Sequence, residues 1–142
     1  MRDLSLSQAN RAARNAATIA RADDGAGNAA IRLYTAQGGA LLATRTLGKP
    51  CGTVRPADGR LQLAPGSAAD LVSATGAPTW GVLHAADGAP LYEGPVTDEA
   101  GFAGPAGAAA DTGNIGPWVL RGTSGTQLYE GGVVALTTGL IG

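Results

Sequence analysis

The sequence has few charged, aromatic and metal-binding side chains. Charged residues make up 15% and aromatic residues 4% of the 142 residues, whereas about a quarter of a typical soluble domain is charged. Lys49 is the only lysine, His84 the only histidine and Cys51 the only cysteine. One cysteine excludes a disulfide within the chain, and one histidine with one cysteine cannot build a standard zinc site. We therefore expect neither a metal nor a cofactor.

The same scarcity argues against most enzymatic interpretations. A catalytic histidine needs an orienting acid and a nucleophile within hydrogen-bond distance. The acid nearest to His84 in the sequence is Asp87, and its place in a predicted turn is sufficient to explain why an aspartate occurs there. We therefore interpret His84 as a surface histidine. Cys51 is interpreted as a small buried thiol. We predict no catalytic residues and no enzyme activity.

Nucleic acids and membranes also lack support as partners. The formal net charge is −1, and the arginines do not form a basic patch interleaved with aromatic residues. No apolar run approaches the length of a membrane span. Asp23 and Asp24 lie near Asn28, but the remaining ligands of a calcium loop are missing, so this segment is predicted to be a turn.

A repeated segment is the most informative feature of the chain. Residues 80–94 read WGVLHAADGAPLYEG and residues 118–131 read WVLRGTSGTQLYEG, with eight identical positions if Gly81 is treated as an insertion. Each copy is an apolar run, a glycine-bearing turn and a second apolar run, which is typical of a β-hairpin. We predict two hairpins that form equivalent corners of one sandwich. The predicted core residues are Trp80, Leu83, Leu91, Trp118, Leu120 and Leu128.

The remaining segments favour an all-β fold. Residues 30–35 and 40–47 alternate between two faces, and Gly48, Lys49 and Pro50 are predicted to end the second strand because proline cannot donate to a ladder. Short strands with turns every eight to twelve residues predict an antiparallel β-sandwich or jelly roll. Residues 98–116 form a Gly/Ala-rich excursion. We divide the chain into an N-terminal helix or arm, 1–28, and a β-sandwich (jelly-roll) domain, 29–142.

Residues 5–21 are the one strong helix candidate. Ser5 or Ser7 can cap its first turn, and a narrow apolar stripe is formed by Leu6, Ala9, Ala13, Ala16 and Ala20, with Arg11, Arg14 and Asn15 on other faces. Two alternatives stay open: a helix packed on its own domain, or an arm that docks on a neighbouring subunit. The predicted partner contacts are Leu4, Leu6, Arg11, Arg14 and Phe102.

The order of several short pieces resembles a known group of proteins. The pieces are residues 31–35, residues 40–44 with Leu47, Trp80 with Val82 and Leu83, the Asp87–Gly88 turn, and residues 131–134 before a Thr-rich final strand. This pattern resembles the small structural proteins of tailed bacteriophages, and the chain is similar to their capsid cement (decoration) proteins. The resemblance implies a jelly-roll protein that is made in the bacterial cytoplasm and binds the major capsid protein on the exterior of the virion.

Two further hypotheses stay open beside this one. The chain could be a tail or neck component of the virion. It could instead be a carbohydrate-binding module or lytic glycosidase, if Trp80, Trp118, Tyr92 and Tyr129 face solvent and Glu93 and Glu130 act as paired acids. Because two-fold pairing is the simplest closed symmetry, we also predict a homodimer.

Overall fold

The computed structural model describes residues 5–99, 118–122, 125–136 and 140–142. This part of the chain contains one helix and nine strands and is mostly β. The elements are α1 (Gln8–Ala22), β1 (Ala30–Tyr34), β2 (Leu41–Val54), β3 (Leu61–Pro65), β4 (Asp70–Leu71), β5 (Trp80–His84), β6 (Pro90–Asp98), β7 (Trp118–Leu120), β8 (Val133–Val134) and β9 (Leu140–Ile141).

Seven of these strands form one curled sheet in the order β7-β6-β5-β1-β2-β3-β9. Neighbouring strands are antiparallel except β6 and β7, which are parallel. Strands β4 and β8 form a separate antiparallel pair, which joins β2 through a bridge between Ala43 and Val72.

The centre of the sheet follows the predicted alternation. On β1, Ile31 lies opposite Leu83 of β5, and Leu33 lies opposite Ala43 of β2. All four side chains are buried, because alternate residues of a strand point to one face. The side chains on this face form the core together with buried residues of the other strands and loops. The other large members of the core are Leu47, Leu61, Leu63, Val72, Trp118, Leu120, Leu128 and Val134.

The predicted end of the second strand is wrong. Strand β2 continues through Pro50 to Val54. Its pairing with β3 shifts register between Leu47 and Gly52, so Pro50 lies in an irregular stretch, where the missing N–H is tolerated.

Helix α1 begins after Ser7, one of the two serines predicted as its cap, but it buries a different face from the one formed by the apolar stripe. Ser7 Oγ accepts a hydrogen bond from the Asn10 N–H at 3.2 Å. Asn15 and Ala22 are buried and Ile19 is partly buried. The predicted stripe is therefore not the face that packs on this chain: its members within the helix are exposed, namely Ala9, Ala13, Ala16 and Ala20.

Hydrogen bonds explain which face of the helix is buried. Asn15 Nδ2 donates to Gly59 O at 2.8 Å and to Ile141 O at 3.1 Å. Arg11 Nη1 donates to Asp58 O at 2.9 Å. These bonds satisfy polar groups that would otherwise be costly to bury, whereas alanines offer little area to bury. The helix packs on its own chain.

The two repeats have different structures. The first is the predicted hairpin: β5 pairs with β6 around a turn at residues 85–89. The second hairpin prediction is wrong, because Trp118 pairs with Val96 of β6, and Leu128 bridges to Gly76. The two repeats are therefore not equivalent corners of the fold.

Candidate interaction surface on the outer face of the sheet

A row of side chains crosses the outer face of the central strands. Glu93 of β6 lies opposite Val82 of β5, Val82 lies opposite Arg32 of β1, and Arg32 lies opposite Thr44 of β2. These residues alternate with the inward-facing positions of their strands, so they point away from the core. Val82 is nevertheless only 8% exposed, so the accessible surface of this row is formed mainly by Glu93, Arg32 and Thr44. We call Glu93, Val82, Arg32 and Thr44 the central row.

A second row contains two of the aromatic residues. Trp80 lies opposite Pro95 on one side and Tyr34 on the other, and Tyr34 lies opposite Leu41. Trp80 and Tyr34 are half-buried, and Pro95 and Leu41 are exposed. We call these four residues the aromatic row. The prediction that Trp80 lies in the core is therefore wrong, because its side chain lies on the outer face.

The outer face ends in an exposed aliphatic pair. The bridge between Ala43 and Val72 sets the register of β4 against β2, which places Leu71 beside Thr44. Leu71 in turn lies opposite Val133 of β8. Their exposed fractions are 69% and 66%, so this cross-strand pair is open to solvent. We call Leu71 and Val133 the apolar end.

The charged groups of the central row differ in how they are held. Glu93 Oε2 accepts a hydrogen bond from Trp80 Nε1 at 3.3 Å, and Glu93 Oε1 accepts one from Gln37 Nε2 at 3.4 Å. Within the described ranges, no group accepts a hydrogen bond from the Arg32 guanidinium. The outer face thus presents the Glu93 carboxylate, which is held in place by two hydrogen bonds, and the Arg32 guanidinium, which is available to bind a partner.

His84 lies on the same face and is engaged by neutral groups. Its Nδ1 lies 3.0 Å from Gly88 O, and its Nε2 lies 3.4 Å from the Tyr34 hydroxyl. Neither partner is an acid that could orient the ring as a general base. This geometry supports a structural part for His84 in closing the β5–β6 hairpin.

Cys51 is the buried thiol that the sequence predicts. Its exposed fraction is 0%, and burial, together with the nearby Asp23 carboxylate, raises its pKa to about 11. The thiol is therefore protonated at neutral pH and is a poor nucleophile. Both carboxylate oxygens of Asp23 accept a hydrogen bond from the Cys51 N–H at 3.1 Å. These bonds connect the turn after α1 to β2.

Other residues singled out in the sequence lie apart from one another. Glu93 is on β6, and Glu130 lies in the turn before β8, where its N–H donates to Thr75 Oγ1. In the part of the chain that the structure describes, no three His, Cys, Asp or Glu residues form a group able to hold a metal ion.

The residues proposed for carbohydrate stacking do not share a surface. Trp118 is only 4% exposed, and its Nε1 donates to Gly81 O at 2.9 Å. Tyr92 lies opposite the buried Leu83, so it points to the face opposite that of Trp80. Tyr129 is in a separate turn. No common aromatic platform is formed by these four side chains.

The predicted partner contacts of the N-terminal segment are divided. Arg11 is engaged within the chain by Asp58 O, and Leu6 is half-buried. Arg14 is exposed and lines a shallow groove of about 350 Å³ between α1 and β6, together with Thr18, Arg21 and Tyr92. Leu4 and Phe102 lie outside the described residues.

The sequence did not indicate Arg32, Leu71 and Val133 as surface residues of interest. Arg32 was visible only as a polar residue of an alternating strand, and the pattern of residues 69–74 around Leu71 fits a short strand as well as a helical turn. Their common face arises from strand pairing between segments distant in sequence. Their positions could have been predicted only from the register of the four strands β1, β2, β4 and β8.

Comparison of the chain with protein families, with curated proteins and with solved structures finds no match in any of the three. Among the described residues, no helix is both long and apolar enough to cross a membrane.

Proposed function

We propose that this protein is a non-enzymatic capsid cement (decoration) protein of a tailed bacteriophage, which binds the major capsid protein on the exterior of the virion. The observation that carries the proposal is the apolar end, where Leu71 and Val133 stand exposed side by side. Exposed apolar side chains that lie together are typical of protein-binding surfaces. The resemblance of residues 29–141 to small phage structural proteins supports the shell as the partner.

The proposed mechanism is adhesion through many weak contacts. Leu71 and Val133 together offer a modest apolar area, and burial contributes about 25 cal/mol for each Å². One such contact is weak, but a homodimer that engages two capsid subunits gains avidity from its second contact. In this proposal the curled sheet, continued at β2 by the β4–β8 pair, closes around its core as a jelly-roll sandwich.

Co-sedimentation with tail-free capsids tests the proposal. We expect the wild-type chain to sediment with capsids in hundreds of copies per particle, and a Leu71→Ser/Val133→Ser variant to bind at least tenfold more weakly. Leu140→Ser is the matched control, because Leu140 is 43% exposed on β9, at the far edge of the sheet.

Two outcomes would contradict the cement function. One is a wild-type chain that does not sediment with capsids. The other is a protein that leaves the virion with the tails and is present in a dozen copies or fewer, which would favour a tail or neck component.

A further inference from the structure

We infer that two copies of this chain pair through the outer face of β6, β5 and β1, with the two-fold axis above Val82 and the contact made by the side chains on either side of it. The proposed function includes a homodimer, and this inference assigns the surface through which the two copies bind. The pairing itself does not depend on binding to a capsid. The observation that carries it is the arrangement of opposite charges on either side of Val82.

The central row is self-complementary. Glu93 and Arg32 flank Val82 on the two neighbouring strands, each about 4.8 Å away in the direction across the sheet. A two-fold axis that runs along β5 above Val82 exchanges these two positions. Arg32 then faces Glu93 of the partner subunit, and Glu93 faces Arg32 of the partner subunit. An isologous contact requires this kind of self-complementarity.

The aromatic row fits the same axis. Trp80 lies on β5, so it meets Trp80 of the partner subunit beside the axis. Tyr34 and Pro95 flank Trp80 on either side, so each Tyr34 meets Pro95 of the partner subunit. Tryptophan and tyrosine are enriched at interfaces, where their rings bury a large area and keep a polar tip available.

The charges favour a second copy over other occupants. The face carries one positive and one negative group in its central row, so it attracts neither an acidic nor a basic surface as a whole. A nucleic acid would require an excess of basic groups. A second copy, rotated by half a turn, supplies the opposite charge at each position.

The convex shape of the face limits the contact. The sheet curls around its core, so face-to-face packing involves β6, β5 and β1 and leaves the strands beyond β1 free. Leu71 and Val133 lie on β4 and β8, beyond β2. The dimer surface and the apolar end are therefore separate, and one can be changed without the other.

Charge reversal tests the pairing with purified protein. We expect sedimentation equilibrium to show a wild-type dimer, and Arg32→Glu or Glu93→Arg alone to raise the dimer dissociation constant at least tenfold, because like charges then face each other. The double variant Arg32→Glu/Glu93→Arg should dimerise again. An equimolar mixture of the two single variants should form a heterodimer, since each supplies the charge that the other lacks.

The controls separate pairing from folding and from function. Asp24→Arg reverses an exposed charge in the turn after α1 and should leave the dimer unchanged, and circular dichroism should show that every variant is folded. Dilution of the wild-type dimer should shift Trp80 emission to longer wavelength as its ring becomes more exposed to water.

The inference is overturned by a wild-type chain that stays monomeric at 100-fold above the concentration used for capsid binding, or by folded single variants that dimerise as well as wild type. Failure of the double variant to regain the dimer would overturn it too. Capsid binding is measured separately with the Leu71→Ser/Val133→Ser variant. A chain that fails to dimerise can therefore still be tested for capsid binding, and a chain that fails to bind capsids can still be tested for dimerisation.

Discussion

The two copies of the Trp-Val-Leu…Leu-Tyr-Glu-Gly segment share eight residues and differ in structure. The first is a hairpin on the sheet, and the halves of the second pair with different parts of the molecule. Its tryptophan is buried, whereas the tryptophan of the first copy lies half-exposed on the outer face. Identical apolar patterns therefore do not by themselves select the same partners.

The turns account for part of this difference. In the first copy, Asp87 Oδ1 accepts the Ala89 N–H at 3.0 Å, and Ala85 N donates to Ala89 O at 2.8 Å, so the turn closes on itself. In the second copy, the Gly125 N–H donates to Asp98 Oδ2 at 2.7 Å. Because Asp98 ends β6, this contact ties the second copy to that strand rather than to a hairpin of its own.

The insertion that distinguishes the copies accounts for another part. Gly81 is the extra residue of the first copy, and the indole of Trp118 packs directly on it. A Cβ at Gly81 would lie 2.8 Å from Trp118 Nε1 and 2.9 Å from Trp118 Cγ, closer than Cβ contacts allow. The first copy thus provides the site in which the tryptophan of the second copy is buried.

The largest expected effect separates the two tryptophans. Trp118→Ala should lower the free energy of unfolding by about 3–5 kcal/mol, as is usual for deletion of a buried tryptophan. Trp80→Ala should lower it by about 1 kcal/mol, since only part of its area is buried. Urea titration at a protein concentration low enough to give monomers measures both, and equal losses would contradict the structural difference between the copies.

A smaller effect tests the contact between the copies. Gly81→Ala should destabilise the protein by about 1–3 kcal/mol, because the methyl group overlaps the Trp118 ring. The same change in a Trp118→Leu background should cost less, since the smaller side chain leaves space. Additive losses in this double-mutant cycle would show that Gly81 and Trp118 are not coupled.

The smallest effect concerns the turn of the first copy. The Ala89 N–H and, after it, Arg21 hold the pKa of the Asp87 carboxyl below its usual value. Because the folded pKa is lowered, the stabilisation is present above the unfolded pKa and is lost as the pH falls through the folded pKa. Asp87→Asn should therefore be slightly less stable than wild type at pH 7, with the gap closing in acid.

Carbon-13 NMR titration of the Asp87 carboxyl checks the direction of this shift. Arg21→Ala should move the pKa part of the way back toward its usual value, because Arg21 Nη1 lies 3.0 Å from Asp87 Oδ2 in an exposed ion pair. A carboxyl that titrates at its ordinary pKa in the wild-type chain would contradict the closed turn.

Local signals in the sequence were sufficient for several elements. The alternation of Ile31 and Leu33 with Arg32 predicted β1. The Asp87–Gly88 pair predicted the first turn, because glycine accepts the positive φ of 91° found there. A serine cap at Ser5 or Ser7 was likewise predicted, and the structure has it at Ser7. Each of these features depends on residues within a few positions of one another.

Other features could not be predicted from nearby residues. Alanine spacing suggested one face of α1, but the buried face is the one where Asn15 reaches Gly59 O and Ile141 O, the second of them 126 positions away in sequence. Burial of Arg45, which is 3% exposed, depends on Asp70 at 2.8 Å. Such partners are identified only when distant segments meet.

The sequence by itself determined a charge-poor, glycine-rich chain that folds mostly into β-strands, with one capped helix and a closed Asp-Gly hairpin. Local backbone preferences and period-two alternation are sufficient for that much. Only the tertiary structure decided that the repeated segment forms one hairpin rather than two. It also decided that Trp118 is buried against Gly81 while Trp80 faces outward beside Arg32 and Glu93. The reason is that strand register and close packing are set by contacts between segments far apart in sequence.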